Sequence, residues 1–317
     1  MRSMLAITLL LGSALLQAAV HEYQLENGLK LIVKEDHRAP VVVSQVWYRV
    51  GASYEYDGIT GASHVLEHMM FKGTDAHPPG EFSRIISANG GSENAFTSSN
   101  YTAYFQRLEK SRLPVSFELE ADRMRNLHLQ DEEFQKEIKV VMEERRLRTE
   151  DKPTALTYEQ FNATAFTSSS ARIPTIGWMN DLENMQLGDL QTRYERWYAP
   201  NNAIVVVAGD VEPGAVLKLA RQYFGPLKPE PVVPPTPRIE PQQQGKRSIT
   251  VWAPAEVPHT ILGYKVPVLK TVNMEVVWEP YALRVLAGIL DGGDSARLTI
   301  ELVRGSQIAT SAGAGYD

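Results

Sequence analysis

Seven prolines, at positions 226, 229, 231, 234, 235, 237 and 241, divide this chain into two parts. Each proline fixes φ and removes a backbone donor, so neither a helix nor a central strand passes through the segment. Residues 226–247 therefore read as an extended linker between a long N-terminal part, 20–225, and a C-terminal part, 248–317. A piece of about 70 residues buries little surface by itself. The C-terminal part reads as the beginning of a second domain cut short, and the chain as a truncated product of a longer two-domain protein.

The first residues form a separate unit. Arg2 gives a short positive start, Met4 to Leu16 is an uninterrupted largely apolar run, and Gln17-Ala18-Ala19 offers small residues for cleavage. This is the layout of a secretory signal peptide over residues 1–19. The apolar run falls short of the roughly 20 residues that a membrane span needs, so no stable membrane anchor is expected. The mature chain is expected to be exported, in a bacterium to the periplasm. Cys 0 excludes disulfides, thiol nucleophiles, lipoprotein anchoring and cysteine-held metals, so any metal must sit on His, Asp or Glu. A net charge of −6 argues against binding nucleic acid through bulk positive charge.

The pattern from 20 to 225 mixes hairpins with long helices. Tyr23–Leu25 and Leu29–Lys34 flank the turn pair Asn27-Gly28, and Val41–Val50 is a β-branched, aromatic strand. Helical periodicity follows over Gly61–Phe71 and Phe82–Ala88, then strands over Asn94–Thr97 and Tyr101–Leu108. Ser111–Asn126 and Asp131–Arg148 read as long helices, the second with Asp131 placed to cap it. A helical stretch from Pro153, a helix over Leu187–Tyr198, a buried-type strand at Ala203–Ala208 and a helix at Pro213–Phe224 complete this part. The fold class expected is α+β, with a mostly antiparallel sheet flanked by long helices. Beyond the linker, Ser248–Ala253, Thr260–Val266 and the start at Gln307–Ser311 read as strands, and Pro280–Leu290 and Asp294–Arg304 as helices.

The chemistry concentrates in His64-Val65-Leu66-Glu67-His68. On a helix, i and i+4 lie one turn apart on the same face, so both imidazoles reach one ion. Glu67, at i+3 from the first histidine, flanks the same site and can polarise a metal-bound water. This H-x-x-E-H order is the inverse of the H-E-x-x-H zinc protease motif. A third ligand must come from elsewhere, because catalytic zinc takes three protein groups and leaves one position open. The helix over Asp131–Arg148 offers Glu132, Glu133, Glu137, Glu143 and Glu144, beside an apolar stripe of Phe134, Ile138, Val140 and Val141. Spacing by itself does not choose among the five.

With Val140-Val141-Met142-Glu143-Glu144 downstream, the pentapeptide resembles the pitrilysin/insulinase family of zinc metallopeptidases, which includes the mitochondrial processing peptidases. Gly58-Ile59-Thr60-Gly61, Gly91-Ser92-Glu93-Asn94-Ala95-Phe96-Thr97 and Thr102-Ala103-Tyr104 add to the likeness. The resemblance implies one Zn2+ per chain held by His64, His68 and Glu144, with Glu67 as general base. It implies that Glu137 orients a ligand from the second layer, and that Asn94, Ala95 and Phe96 lie on an edge strand that pairs with an extended substrate. It further implies a peptide or unfolded protein substrate, a homo- or heterodimer with a homologous subunit, and a second similar domain that supplies an arginine and a tyrosine from beyond residue 317. Residues 20–225 would be the zinc-peptidase domain, and 248–317 part of the substrate-enclosing one.

Two other readings compete with a metalloendopeptidase. One is a non-catalytic or weakly active subunit of the same fold; the other is a peptide-binding module that uses the edge strand without hydrolysis. Elsewhere, Arg145, Arg146 and Arg148 read as a solvated basic patch, and Trp47, Tyr48, Trp197 and Tyr198 as packing residues. His21, His37, His77, His128 and His259 lack sequence neighbours at metal spacing and read as structural.

Overall fold

A computed structural model describes residues 20–317 apart from Pro237, Lys270 and Asn273. The expected signal peptide therefore lies outside the described residues. Six strands form one sheet: β1 (Val20–Gln24), β2 (Lys30–Glu35), β3 (Val41–Tyr48), β4 (Ser92–Thr97), β5 (Thr102–Glu109) and β6 (Ala203–Gly209). Their order is β1-β2-β6-β3-β5-β4, antiparallel throughout except for the parallel β2–β6 pair. The sheet is mixed and mostly antiparallel, as expected. Among the described residues β4 is an edge, paired with β5 on one side only.

Alternation along the strands decides which face is covered. In β3, Val42, Ser44, Val46 and Tyr48 are buried while Val43, Gln45 and Trp47 are half-buried. The inward set, with Leu31, Val33, Tyr104, Leu108, Val205 and Val207, meets apolar stripes of the helices. These are α1 (Ala62–Met69), α2 (Glu81–Ala88), α3 (Leu113–Asn126), α4 (Asp131–Arg145), α5 (Pro153–Ala165), α6 (Met179–Asn184), α7 (Leu187–Trp197) and α8 (Pro213–Tyr223). Phe117 and Met124 of α3, Ile138 and Val141 of α4, Leu190 of α7 and Val216 of α8 fill this core.

Several local expectations shift. α4 stops at Arg145 and continues as a wider π-type turn over Arg146–Glu150, rather than as α-helix to Arg148. Asp131 does not cap it: Gln130 holds the cap position with no side-chain bond, and Asp131, Glu132 and Glu133 line the first turn, where negative charge suits the helix dipole. Val140 leaves the expected stripe and is exposed, because the buried positions 134, 138, 141 and 145 follow steps of four and three that pass it by.

The described residues of the proline-rich segment carry no helix or strand, yet they are fastened at several points. Glu230 pairs with Arg125 at 2.6 Å, and Arg238 donates to the Glu55 carbonyl at 2.8 Å. The Glu240 carboxylate accepts from the consecutive amides of Thr167, Ser168 and Ser169. Arg247 donates to the Thr164 and Ala165 carbonyls, which α5 leaves open at its C-terminus.

The chain divides into two compact units, the first running to His259 and the second from Thr260 to Asp317. In the second, α9 (Trp278–Asp291) covers the expected helix, and the Asp294–Arg304 region becomes a π helix over Thr299–Gly305. The strands expected at 248–253, 260–266 and 307–311 do not form. Their β-branched residues favour extended backbone locally, but a strand needs a partner to complete its ladder, and none pairs with them among the described residues.

Candidate metal centre

The helix bearing the two histidines begins under tight backbone control. Gly61 starts α1 at φ +89°, and Gly177 packs on it at φ +87°. A Cβ on Gly61 would stand 2.6 Å from the Ile176 carbonyl oxygen, and one on Gly177 2.4 Å from that of Thr60. Only glycine fits both the left-handed conformation and the close approach.

The open amides of α1 find a buried acceptor. Glu55 takes hydrogen bonds from the amides of Gly61 and Ser63, both at 2.7 Å, and from the Ser63 hydroxyl at 2.6 Å. Burial pushes the Glu55 carboxyl up, opposed by the neighbouring Arg193 and these donors. Asp181 of α6 accepts from the amides of Gly58 and Thr60 at 3.1 Å and from the Thr60 hydroxyl at 2.6 Å. Gly58 to Gly61 is thus a sequence match with a physical purpose: it sets the angle at which α1 leaves its loop.

α4 packs beside α1 through Phe134, Ile138 and Val141, which turns Glu137 and Glu144 toward the histidines. One Glu144 oxygen, Oε2, stands 3.8 Å from His64 Nε2 and 3.5 Å from His68 Nε2. Donors tetrahedrally placed around zinc at its usual bond lengths are separated by roughly 3.3 Å, so three groups converging in this way fit that ion with little movement. His68 donates from Nδ1 to Glu137 Oε2 at 3.1 Å, which leaves its Nε2 lone pair facing Glu144. Lys72 holds the other Glu137 oxygen at 2.6 Å. The hydrogen bond from His68 lowers the Glu137 pKa, with burial opposing and Lys72 assisting. Burial, helped by His68 and Arg148, pulls His64 down to about 3. His64 is therefore neutral at physiological pH, the state in which an imidazole binds metal.

Glu67 is mostly buried, on the same helix and one residue before His68. Burial raises its pKa, while the Thr97 hydroxyl, donating to Oε2, opposes that rise. Thr97 closes strand β4, so this bond fastens the open sheet edge to the helix of the site. Along β4, Asn94 and Phe96 are exposed and Ala95 half-buried, and the Phe96 ring meets Trp47 edge-on at 5.3 Å. All eight residues singled out from the sequence thus fall on α1, α4 or the adjoining edge strand.

Other groups depart from expectation. Arg145 is not part of a solvated patch: it is buried, pairs with Glu159 at 2.8 and 2.9 Å, and donates to the Gly177 carbonyl at 2.8 Å. Arg146 and Arg148 do lie outside, paired with Glu143 at 3.1 Å and Glu144 at 2.7 Å. His37 has spatial partners that its sequence surroundings hide. Its Nδ1 bonds Asp210 at 2.6 Å, and Glu35, His37 and Glu212 bring donor atoms within 4.8 Å of one another. The Asp210 bond raises the His37 pKa, and Lys110 pairs with the same aspartate at 2.5 Å, so an exposed ion-pair network accounts for this cluster. Thr97 and Arg148 were named from the sequence, but their contacts with Glu67 and Glu144, and that of Lys72 with Glu137, were not foreseen.

Comparison with known proteins places these features in a family. Residues 30–177 match the family described as Insulinase (Peptidase family M16), and residues 184–317 the one described as Peptidase M16 inactive domain. A Helicobacter pylori protein named zinc protease PqqE is 36% identical over 292 residues, covering 91% of this chain and 64% of that protein. This chain thus spans less than two thirds of that relative's length. A crystal structure described as a protease from Helicobacter pylori superposes with a TM-score of 0.80 at 33% identity, covering 93% of this chain and 71% of the other. Cytochrome b-c1 complex subunit 1 of Bos taurus is 28% identical over 204 residues, covering 64% of this chain and 42% of that one.

Proposed function

Because the chain belongs to the M16 (insulinase) peptidase family, we propose that it carries the metal site of a zinc metalloendopeptidase acting on peptides or unfolded protein segments. The observation that supports this most directly is the convergence of His64 Nε2, His68 Nε2 and Glu144 Oε2 beside Glu67. In this reading those three residues hold one zinc per chain. A zinc ion bound there supplies a Lewis acid and brings the pKa of a water near neutrality.

The protein's own groups do the rest. Glu67 accepts the proton of the attacking water and returns it to the leaving amine, and its raised pKa suits both steps. Thr97 steadies that carboxylate, and Glu137 fixes the His68 ring. The open side of β4 pairs with an extended substrate backbone at Asn94, Ala95 and Phe96, giving affinity through main-chain bonds. Export to a periplasm follows from the signal-like residues 1–19; among the described residues no helix is long and apolar enough to cross a membrane.

A second reading is a non-catalytic subunit that works with a homologous partner chain, favoured by the likeness to cytochrome b-c1 complex subunit 1. The complete donor set with Glu67 beside it favours the enzyme. The test compares zinc content and turnover of a quenched unfolded peptide, in this chain and in one extended past residue 317. His68→Ala should lose the zinc, and Glu67→Gln should keep it while losing about 10²–10⁴ in rate. Full zinc in His68→Ala refutes the site; zinc binding with no turnover in either chain length leaves the subunit.

A further inference from the structure

The two oxygens of Glu144 have different partners. Oε2 faces both histidines, at 3.8 and 3.5 Å, while Oε1 forms an ion pair with Arg148 Nη1 at 2.7 Å. Arg148 lies one turn past Glu144, where α4 has given way to the π-type turn over Arg146–Glu150. We propose that Arg148 is a positioning residue of the metal centre, which holds Oε1 outward so that Glu144 meets the ion through Oε2 alone. The proposal rests on the reading of His64, His68 and Glu144 as the zinc donors.

The physical need is plain. The terminal torsion of a glutamate is broad, and an unheld carboxylate can offer both oxygens or rotate to water. His68 has Glu137 to fix it, but Glu144 needs a donor of its own. Arg148 is the cation paired with the carboxylate oxygen that does not face the histidines. A guanidinium presents its N–H groups from a rigid plane, so little freedom is lost for each bond made. Groups in this supporting role typically contribute about 10–100-fold to metal affinity.

A contrary effect makes the test decisive. Arg148 is also a cation near a cation site, and bare charge repulsion would weaken metal binding. Removing Arg148 therefore tightens zinc if charge dominates, and loosens it if positioning dominates. Arg146 provides the control: it sits on the same turn, carries the same charge and pairs with Glu143 instead. The side chain of Arg148 is 71% exposed, so its loss should leave the melting temperature of the metal-free chain unchanged.

Zinc affinity is measured on the purified chain by competition with a chromophoric chelator, with no need for turnover. Arg148→Ala should bind zinc about 10–100-fold more weakly. Arg148→Gln, which keeps an N–H donor without the charge, should recover part of the loss, and Arg146→Ala should match the parent. Unchanged or tighter binding in Arg148→Ala, or equal losses in Arg148→Ala and Arg146→Ala, overturns the proposal. Undiminished zinc affinity in His68→Ala overturns instead the site reading on which it depends.

Discussion

His68 donates its Nδ1 proton to Glu137 at 3.1 Å, and that one bond decides which nitrogen of the ring faces Glu144. The carboxylate selects the tautomer, and Lys72, 2.6 Å from the other Glu137 oxygen, keeps the carboxylate in place. The centre is thus organised from the Nδ1 side of His68, by groups on the far side of the ring from Glu144.

Glu137→Ala should therefore weaken zinc by about 10–100-fold without removing a direct donor. Glu137→Gln, whose amide oxygen still accepts, should lose less. Chelator competition on the folded variants measures both. Equal affinity in the parent and Glu137→Ala would show that the packing of α1 suffices to orient the ring.

Arg145 fastens the end of α4 to the loop that launches α1. Its guanidinium bonds Glu159 and the carbonyl of Gly177, and Gly177 packs on Gly61. Arg145→Ala leaves the Glu159 carboxylate buried without its cation, an arrangement that typically costs about 3–5 kcal/mol. Urea unfolding of the zinc-free chain near pH 7 measures the loss. A cost below about 1 kcal/mol would mean that water replaces the guanidinium, as at exposed pairs.

How much of this was legible in the sequence depended on the range of each interaction. The His64–His68 pairing is local, set by helix geometry, and visible from spacing. Glu144 sits 76 positions after His68, and nothing local separated it from four other glutamates on its helix; likeness to a family singled it out. Arg145 could have been separated from Arg146 and Arg148, since 134, 138, 141 and 145 form one buried stripe. Thr97 to Glu67, Arg193 to Glu55 and Asp181 to Thr60 join residues far apart in the chain, and no periodicity encodes them. The same limit explains the missing strands after residue 247: composition sets a local preference for extended backbone, whereas pairing is a property of two segments.

The fastening of the proline-rich segment predicts an outcome that its composition does not. Glu240 satisfies three successive amides at Thr167, Ser168 and Ser169, so Glu240→Ala removes the acceptor that they share. Limited proteolysis should then cut between residues 226 and 247 severalfold faster, while the core stays intact. An unchanged cleavage rate would assign the fastening to Arg247 and Arg238 instead.

Metal displaces protons from its ligands, so the slope of log affinity against pH counts the protons released. Two ordinary imidazoles, each titrating near 6.5, would together release close to two between pH 5 and 6. Burial holds His64 at about 3, so in that window it carries no proton to release. The slope should not exceed about one. The measurement belongs in the Glu67→Gln background, because the raised pKa of Glu67 would otherwise add its own proton to the count. An imidazole depressed in the folded state favours unfolding as pH falls below the ordinary 6.5 and toward 3, because the unfolded chain takes up the proton first. The zinc-free chain should lose stability over that range, and His64→Gln should lose less of it. A slope near two, with His64→Gln as acid-sensitive as the parent, would show that water reaches His64 and that the packing of α1 against α4 leaves its ring free to charge.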